Sequence, residues 1–548
     1  MDEISNKDIA GLISSIDPLS WIMDNKIELA HGPWQLLGHE YQVDWLQCDA
    51  PRQCFIKGAQ IGASECLVLK TLHGMIHGKY RAGALYLFPT RDDVGDFSKA
   101  RFDPLIEQNP CIKYYVQNTD SKNIKQVGRG FLYLRGARAS KTIGGVKKTS
   151  SQLKTAPVDR VVFDERDEME DAMVTLAEER VGHSQIEDSM HRKGEIIYLG
   201  TPTIPDFGID ELYKNSDQRI WMIECQGCHK ETSLDLEFPR GLERQKDGSV
   251  KRVCIHCGKE IFPVFGHWVT SYPSKSKDMV GWWISKLNTT YNDPTPLLNL
   301  YENPPHGDLS EVMNSKFGRA YIPAENRLTA QEVYSCCGAD PMRSMHDGPT
   351  CMGVDVGKKL HVVIAERPTH NSLKVVWIGR LDTFNELHDV AQRFHVRTAV
   401  IDLRPEIRKV REFQRQETFQ VFGCEYIEMK AGQISWDEKE SIVKVNRTEI
   451  CDASHDLVTI RGRLELPRRC SEEQYATEMC NIAKMLVEDP VTGLKIYRYK
   501  QLGSARPDHY RHATNYCLMA SERTGVMSDN KIIQMFFSGR RGRSWLTA

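Results

Sequence analysis

The sequence predicts an α/β fold in which parallel sheets carry functional residues at their strand ends. Three observations support this prediction. Short apolar runs alternate with segments of helical character, several runs end in glycine or a carboxylate, and the pattern occurs in both halves of the chain. Ligands gather at the carboxyl ends of parallel strands, so site residues are expected there. At 548 residues the chain is long enough for two or three substantial cores.

The first candidate site begins with the predicted strand 54–56, which leads through the turn Lys57–Ser64 into a helical segment at 65–72. Backbone N–H groups in such a turn and the positive end of the helix form a cradle for phosphate. The usual G-x-x-x-x-G-K-[ST] loop places lysine directly before the hydroxyl residue. Ala63 occupies that place here, so the nearby cation, Lys57, must reach the phosphates from the start of the loop. A β-to-α turn without a ligand is the alternative.

The predicted strand 160–163 ends in two adjacent carboxylates, Asp164 and Glu165. One can hold a hydrated Mg²⁺ ion, together with the Ser64 hydroxyl, while the other polarises the water that attacks a phosphoryl group. An acidic pair exposed to solvent after a buried strand is the alternative. A further strand, 195–199, ends in the motif Gly-Thr-Pro-Thr at 200–203, which is expected at the same edge of the sheet.

Two more strands, 84–88 and 131–134, bring the predicted sheet to five strands, and arginines follow both of them. An arginine at such a position can neutralise charge in the transition state of phosphoryl transfer. The candidates are Arg91, Arg135 and Arg138. A surface or DNA-facing role is the alternative for each.

Four of the 16 cysteines form two C-x₂-C pairs, at Cys225, Cys228, Cys254 and Cys257. Each pair can clip one side of a tetrahedral Zn²⁺ ion, and four thiolates leave no open position for catalysis. The pattern therefore predicts a structural zinc site in an insertion of about residues 222–266. Unmetallated cysteines are the alternative, and His229 and His256 beside the knuckles are interpreted as surface residues rather than ligands.

The second half of the chain places acids on three predicted elements. Asp355 lies inside an apolar strand, where a carboxylate is costly unless it binds a cation or a hydrogen-bond partner. Asp402 ends the strand 398–401, and Asp508 opens a predicted helix, where helix capping is the alternative role.

The order of these motifs resembles the large terminase subunits of tailed bacteriophages, specifically the lambda-like family. The shared features are a lysine displaced to the start of the phosphate loop, a strand ending in Asp-Glu, a Gly-Thr-Pro element and three later acids. The resemblance implies a P-loop ATPase domain with a parallel sheet and a zinc-knuckle insertion, followed by an RNase H-like α/β nuclease domain. The predicted boundaries are 1–330 for the ATPase domain, 331–348 for a linker, 349–522 for the nuclease domain and 523–548 for a basic tail.

The resemblance also implies roles for individual residues. For ATP and Mg²⁺ binding it implies Lys57, Gly58, Gly62, Ser64 and Asp164, with Glu165 as catalytic base and Thr201 coupling hydrolysis to DNA movement. Gln42 is a candidate for hydrogen bonding to adenine. In the nuclease, Asp355, Asp402 and Asp508 are implied to hold two Mg²⁺ or Mn²⁺ ions, one activating water and one stabilising the leaving oxygen. Glu406 and Asp452 are substitutes for the later two acids.

The function implied is that of a DNA-packaging motor subunit, which hydrolyses ATP to move double-stranded DNA into a procapsid and cleaves concatemeric DNA. The implied partners are double-stranded DNA, a portal protein, a small terminase subunit and further copies of the chain in a ring. Two alternatives stay open at this point. One is a cellular helicase-nuclease or DNA-repair ATPase, and the other is a zinc-dependent DNA-binding scaffold with a degenerate P-loop.

Composition restricts the possible surroundings of the chain. A formal net charge of -2 argues against uniform coating of nucleic acid, although local basic segments, 141–154 and the arginines of the tail, can grip a phosphate backbone. No apolar run approaches 18 residues, and the N-terminus lacks the pattern of a secretory signal. We therefore expect no membrane partner, a place in the host cytoplasm and reduced thiols.

Overall fold

A computed structural model of the chain describes residues 6–121, 123–137, 142–143, 146–147, 157–305, 308–323, 326–427, 432, 434–468, 473–488, 495–502 and 506–524. Arg138, most of the basic segment 141–154 and the basic part of the tail lie outside these residues. The chain divides into two compact units between Tyr321 and Ile322. Among the helices described, none combines the length and the apolar character that crossing a bilayer requires.

The first unit is a central sheet with helices on both faces. Its helices are α1 (Asn6–Ile16), α2 (Pro18–Asp24), α3 (Gln42–Gln47), α4 (Ala63–Ile76), α5 (Arg91–Phe97), α6 (Asp103–Gln108), α7 (Pro110–Lys113), α8 (Asp171–Glu178), α9 (Gly208–Asn215), α10 (Pro294–Glu302) and α11 (Leu309–Phe317). Its strands are β1 (Glu28–Leu29), β2 (Gly32–Pro33), β3 (Arg52–Lys57), β4 (Ala84–Phe88), β5 (Val116–Ser121), β6 (Ile124–Val127), β7 (Gly130–Gly136), β8 (Thr142–Ile143), β9 (Val146–Lys147), β10 (Arg160–Asp164), β11 (Glu195–Gly200), β12 (Arg219–Glu224), β13 (Glu231–Thr232), β14 (Leu242–Arg244), β15 (Val250–Arg252), β16 (Gly266–Thr270) and β17 (Val280–Ile284).

The core of this sheet is formed by neighbouring parallel strands in the order β3-β11-β10-β4-β7. These strands correspond to the five apolar runs predicted from the sequence. Strands β4, β10 and β11 are buried along their whole length, because helices cover both faces of the sheet. Since β3, β11 and β10 are adjacent and parallel, the residues that follow them meet at one edge.

The sheet continues beyond the predicted strands. Strand β17 pairs in parallel with β3, although it comes after the cysteine-rich segment in the sequence. Its apolar run Val-Gly-Trp-Trp-Ile, rich in aromatic and β-branched residues, is typical of a strand. Antiparallel pairs at the edges, such as β12 with β16 and β6 with β7, make the whole sheet mixed.

The second unit is also α/β. Its helices are α12 (Ala330–Ser335), α13 (Phe384–Arg393), α14 (Ile407–Gln416), α15 (Arg447–Thr459), α16 (Glu473–Met479) and α17 (His509–Thr524). Its strands are β18 (Thr350–Val356), β19 (Leu360–Thr369), β20 (Ser372–Leu381), β21 (Val396–Asp402), β22 (Gln420–Ile427), β23 (Ser435–Asp437), β24 (Ile442–Asn446), β25 (Leu464–Glu465), β26 (Ile482–Glu488) and β27 (Lys495–Gln501).

The main sheet of the second unit has the order β23-β24-β22-β21-β18-β19-β20-β25. Helix α17 packs across β18, β19 and β21, and its buried face includes Tyr516 and Met519. Gly353 in β18 makes this approach possible, because a Cβ atom there would lie 2.1 Å from the Ala513 carbonyl oxygen. The N-terminus of α17 is thereby held against the strand that carries Asp355.

The stretch predicted as a linker is in part a structured element of the second unit. Helix α12 begins with a capping box between Thr329 and Glu332. Val333 in this helix is fully buried in the core of the second unit. The division between the units therefore falls before the predicted boundary at residue 330.

Candidate nucleotide and metal sites

Lys57 stands at the centre of the first candidate site. It ends β3, and its Nζ donates to Glu165 Oε1 at 2.7 Å and to Thr201 Oγ1 at 3.3 Å. The side chain is 5% exposed, so its charge has little contact with water. Residues at the ends of three adjacent strands thus form one hydrogen-bonded cluster, which we call the Lys57 cluster: Lys57, Glu165 and Thr201.

Glu165 is held from two sides. Lys57 binds one carboxylate oxygen, while the backbone N–H of Thr201 donates to Oε2 at 3.0 Å. The backbone of Glu165 is left-handed, with φ 60° and ψ 60°, a conformation that costs a residue with a side chain about 1–2 kcal/mol. Strain of this kind is frequent at functional sites, because surrounding contacts must maintain it. Here it turns the carboxylate toward the ends of β3 and β11.

Asp164, one residue earlier, is buried at the end of β10. Burial, reinforced by the adjacent charge of Glu165, raises the pKa of Asp164 to about 6. The Tyr86 hydroxyl donates to its carboxylate at 3.1 Å, and the Ser64 hydroxyl lies close enough to oppose the rise in its pKa. Asp164 and Ser64 therefore face each other, which is the pair of oxygen ligands expected for one Mg²⁺ ion.

Gln42 stabilises the turn between β3 and α4 through a hydrogen bond to its backbone. Gly62 is in the left-handed conformation at φ 75°, and a Cβ atom there would lie 2.8 Å from Gln42 Nε2. Gln42 is buried and donates to the Ile61 carbonyl at 3.0 Å, and Tyr41 donates to the same carbonyl at 2.9 Å. In this arrangement the Gln42 amide N–H shapes the turn itself, so its predicted contact with adenine stays a prediction.

Residues far along the chain also hold this turn, and sequence reasoning missed them. The Gly58 N–H donates to the Ile284 carbonyl at 3.0 Å, and the Ala59 N–H donates to the Ser315 carbonyl at 2.7 Å. Ile284 ends β17 and Ser315 lies in α11. Such backbone contacts are independent of side-chain type, so no sequence pattern could have identified them.

A second contact that sequence reasoning missed joins the last residue of the Gly-Thr-Pro-Thr motif to Asp167. Asp167 accepts hydrogen bonds from the N–H and Oγ1 of Thr203 at 2.9 and 2.8 Å, and from the Ile209 N–H at 2.7 Å. Burial raises the pKa of Asp167 to about 6. The turn after β10 is therefore tied both to the turn after β11 and to the start of α9.

Of the three candidate arginines, Arg91 and Arg135 belong to the described part of the chain. Arg91 is exposed at the start of α5. Arg135 donates to the carbonyls of Asn123 and Leu134 at 2.7 and 3.0 Å. Their suggested role in neutralising charge stays a prediction.

The four cysteines of the two C-x₂-C pairs converge. The Sγ atoms lie within 4.8 Å of one another, with 3.6 Å from Cys225 to Cys257 and 3.7 Å from Cys228 to Cys254. Thiolates bound to one zinc ion at about 2.3 Å in a tetrahedron are about 3.8 Å apart, so the sulfur arrangement fits Zn²⁺.

The surroundings of these cysteines fit the same ion. The N–H groups of Gly227 and His256 point to Cys225 and Cys254 at 3.4 Å, which is the support that coordinated sulfur receives in a knuckle. The side chain of His229 bonds Glu224 and that of His256 bonds the Glu231 carbonyl, so both histidines are engaged elsewhere.

In the second unit, Asp355 and Asp402 lie side by side on neighbouring parallel strands. Val354 in β18 pairs with Ile401 in β21, so the acids that follow these two residues occupy matching positions. Burial and the negative charge of Asp355 raise the pKa of Asp402 to about 6. A cation between two neighbouring carboxylates would relieve the repulsion that raises the pKa of Asp402.

Asp508 lies at the N-terminus of α17 and accepts from His512 Nε2 at 3.3 Å. Burial opposes its ionisation, but the hydrogen bond and charge of His512, with Arg447 nearby, outweigh this and lower the pKa of Asp508. His512 also lies close enough to Asp402 to affect its pKa. The three predicted acids are thus linked around the start of α17, with histidine between them.

The two substitute acids have other partners. Lys484 donates to both oxygens of Asp452 at 2.9 and 2.7 Å, and Tyr499 adds a third bond at 3.0 Å. Glu406 pairs with Lys409 at 3.2 Å at the start of α14. The assignment of Asp402 and Asp508, rather than these two acids, stays a prediction.

Comparison with known proteins gives one family. Residues 31–264 match the family model described as the ATPase domain of the phage terminase large subunit gpA. No curated protein matches the chain significantly. Among solved structures, the large terminase of bacteriophage HK97 is 12% identical over 92% of this chain and 98% of its own, with a TM-score of 0.49. The large terminase of a thermophilic bacteriophage is 11% identical over 87% and 97% of the two chains, with a TM-score of 0.30.

The likeness to this family rests on the matched segment, residues 31–264. At TM-scores below 0.5 the structural likenesses transfer no residue role. The matched residues, in contrast, contain the phosphate-binding turn and the whole Lys57 cluster, so this part of the first unit is similar to a terminase ATPase domain. The match covers less than half of the chain, so it shows the likeness of this segment to the ATPase domain of phage large terminases.

Proposed function

We propose that the chain is a motor subunit that hydrolyses ATP to package double-stranded phage DNA and that its second unit cleaves the DNA. The observation that carries the proposal is the Lys57 cluster, in which the ends of three adjacent strands meet within a terminase ATPase domain. A scaffold with a degenerate P-loop would have no reason to retain a buried lysine bonded to a strained glutamate. The displaced lysine thus supports a working site.

In this proposal the phosphate-binding turn holds ATP with Lys57, Gly58, Gly62 and Ser64. Asp164 and Ser64 hold Mg²⁺, which neutralises charge on the phosphate oxygens. Glu165 orients the attacking water and accepts its proton. Lys57 cannot neutralise Glu165 and a phosphate fully at the same time. ATP binding is therefore expected to draw Lys57 toward the phosphates and leave Glu165 free to act as a base.

The same contacts offer a path from chemistry to movement. Thr201 touches Glu165 through its N–H and Lys57 through its hydroxyl. Two residues later, Thr203 is fastened to Asp167, which also holds the start of α9. A change in the position of Glu165 is thereby passed to the turn after β11 and to α9, which supports a coupling role for Thr201.

The second unit is proposed to be the metal-dependent nuclease, with Asp355, Asp402 and Asp508 as its acids. Ionised carboxylates at these positions would hold Mg²⁺ or Mn²⁺, which activates water and stabilises the leaving oxygen. The side-by-side placement of Asp355 and Asp402 on parallel strands supports this role. His509 and His512 contact two of these acids, Asp355 and Asp508.

Double-stranded DNA, a portal protein, a small terminase subunit and a ring of identical chains complete the proposal, together with action in the host cytoplasm. We expect a ring of identical chains because repeated translocation steps along one DNA duplex require several ATPases around it. Gln42 as an adenine contact and an arginine from among Arg91, Arg135 and Arg138 belong to the same proposal.

The test is ATP-dependent protection of DNA. The purified chain, procapsids carrying a portal, and linear double-stranded DNA are expected to yield DNase-resistant DNA with ATP and none with a non-hydrolysable analogue. Absence of protected DNA together with strand separation of a forked duplex would instead favour the helicase-nuclease. Absence of any ATP turnover would favour the scaffold.

The zinc site gives a separate prediction. We propose that Cys225, Cys228, Cys254 and Cys257 bind structural Zn²⁺, which closes the segment between β12 and β16. Cys254→Ser is expected to lower bound zinc from about one ion per chain to nearly none, because three thiolates and a hydroxyl bind zinc much more weakly. Metal analysis after gel filtration measures this. Cys111→Ser, outside the cluster, is the matched control and is expected to keep its zinc; equal zinc in both variants would contradict the site.

A further inference from the structure

A second set of metal-ligand atoms surrounds Asp355. A carboxylate oxygen of Asp355 and a ring nitrogen from each of His361 and His509 lie within 4.8 Å of one another. Asp355 and His361 are direct partners in the antiparallel pair of β18 and β19, so their side chains leave the same face of the sheet. His509, the first residue of α17, brings Nδ1 to 2.7 Å from Asp355 Oδ2.

The two imidazoles are held in place. Their rings stack with centroids 4.4 Å apart and an angle of 17° between the planes. His361 is 6% exposed, and its Nδ1 has no hydrogen-bond partner within the part of the chain that the structure describes. A buried polar nitrogen without a partner is costly, and it calls for a ligand.

The chemistry of this donor set differs from that of a cluster of acids. Magnesium prefers oxygen ligands and an octahedral shell rich in water, whereas imidazole nitrogen favours transition metals. Two imidazoles and one carboxylate match the two-histidine, one-carboxylate arrangement that binds divalent first-row metals with open positions for substrate or water.

We propose that Asp355, His361 and His509 bind a divalent first-row transition-metal ion in preference to Mg²⁺. The inference rests on the proposed nuclease for its purpose, since Asp355 would belong both to this site and to the acids that cleave DNA. It adds two histidines to the ligands of the metal ion at Asp355, so that histidine selects the metal there, while Asp402 and Asp508 keep the roles proposed above. A simple ion pair between His509 and Asp355 is the competing explanation, and it gives His361 no part in metal binding.

The experiment is a titration of the full-length, zinc-loaded chain with Mn²⁺, without nucleotide, followed by electron paramagnetic resonance of the free ion. Mn²⁺ is chosen because it does not displace zinc from four thiolates. We expect Mg²⁺ to compete weakly and His509→Ala to lower Mn²⁺ affinity by about tenfold or more. His361→Asn is expected to do the same, and the half-buried His509 provides a test if the buried His361 variant unfolds. His370→Ala, exposed between β19 and β20, is the matched control and should bind like wild type.

Every outcome decides the inference. Mn²⁺ affinity that is unchanged in His509→Ala, or Mg²⁺ that competes as well as Mn²⁺, would overturn it. Plasmid cleavage by the same preparations separates this result from the fate of the nuclease. If the wild-type chain cleaves DNA but the histidine substitutions leave Mn²⁺ affinity unchanged, the proposed nuclease is supported and the histidine metal site is refuted. Histidine-dependent Mn²⁺ binding without cleavage would support the metal site and contradict the proposed nuclease.

Discussion

Glu165→Gln is expected to lower ATP turnover by about 100-fold or more, because an amide cannot accept the proton of the attacking water. The substitution keeps the shape of the side chain, but the amide has a single oxygen, so only one of the two donors, Lys57 Nζ or the Thr201 N–H, keeps its acceptor. Nucleotide affinity is expected to stay within a few-fold of the wild-type value. Phosphate release under steady-state conditions and binding of a fluorescent ATP analogue measure the two quantities separately.

The matched control is Glu168→Gln. Glu168 lies in the short helical turn Arg166–Glu168, which directly follows Glu165, and its side chain is exposed. Glu168→Gln removes one negative charge three residues from Glu165, so it tests whether loss of a nearby charge is sufficient to lower ATP turnover. An equal loss of turnover in both variants, or none in Glu165→Gln, would refute the role of Glu165 as base.

Asp355→Asn is expected to abolish metal-dependent DNA cleavage while leaving ATP turnover close to wild type. Asp355 is buried in β18 beside Asp402 and in contact with His509. Loss of its charge removes a ligand from a site in which metal ions contribute several kcal/mol, which corresponds to a fall in cleavage rate of at least about 100-fold. Conversion of supercoiled plasmid with Mg²⁺ and with Mn²⁺ measures this rate.

Asp389→Asn provides the control for this experiment, because Asp389 is exposed on α13 and lies outside the group of acids. It should cleave DNA like the wild-type chain. Cleavage that persists in Asp355→Asn would place the nuclease centre elsewhere. A simultaneous loss of ATP turnover would indicate misfolding rather than a catalytic effect, and a thermal unfolding curve distinguishes these cases.

Local patterns in the sequence were sufficient for several features of the chain. Strands β4, β10 and β11 of the first sheet are apolar because both of their faces are buried, and a short run of consecutive apolar residues reveals such burial in the sequence. The two C-x₂-C pairs likewise predicted the convergence of four thiolates, since each pair needs only one turn of backbone to face an ion. The acidic residue within β18 was conspicuous because it interrupts an apolar run.

Only the tertiary structure decided which of these features meet. Lys57 and Glu165 are far apart in the sequence, and their contact depends on β3 and β10 standing on either side of β11. The support of the phosphate-binding turn by β17 and α11 uses backbone atoms, which leave no trace in residue identity. His361 was unremarkable in the sequence, because its value depends on cross-strand pairing with Asp355 and on α17 bringing His509 over both residues. Strand composition is set by local burial, whereas strand order and register depend on contacts throughout the folded chain. For this reason the sequence determined the elements and their chemistry, and the fold determined which side chains act together.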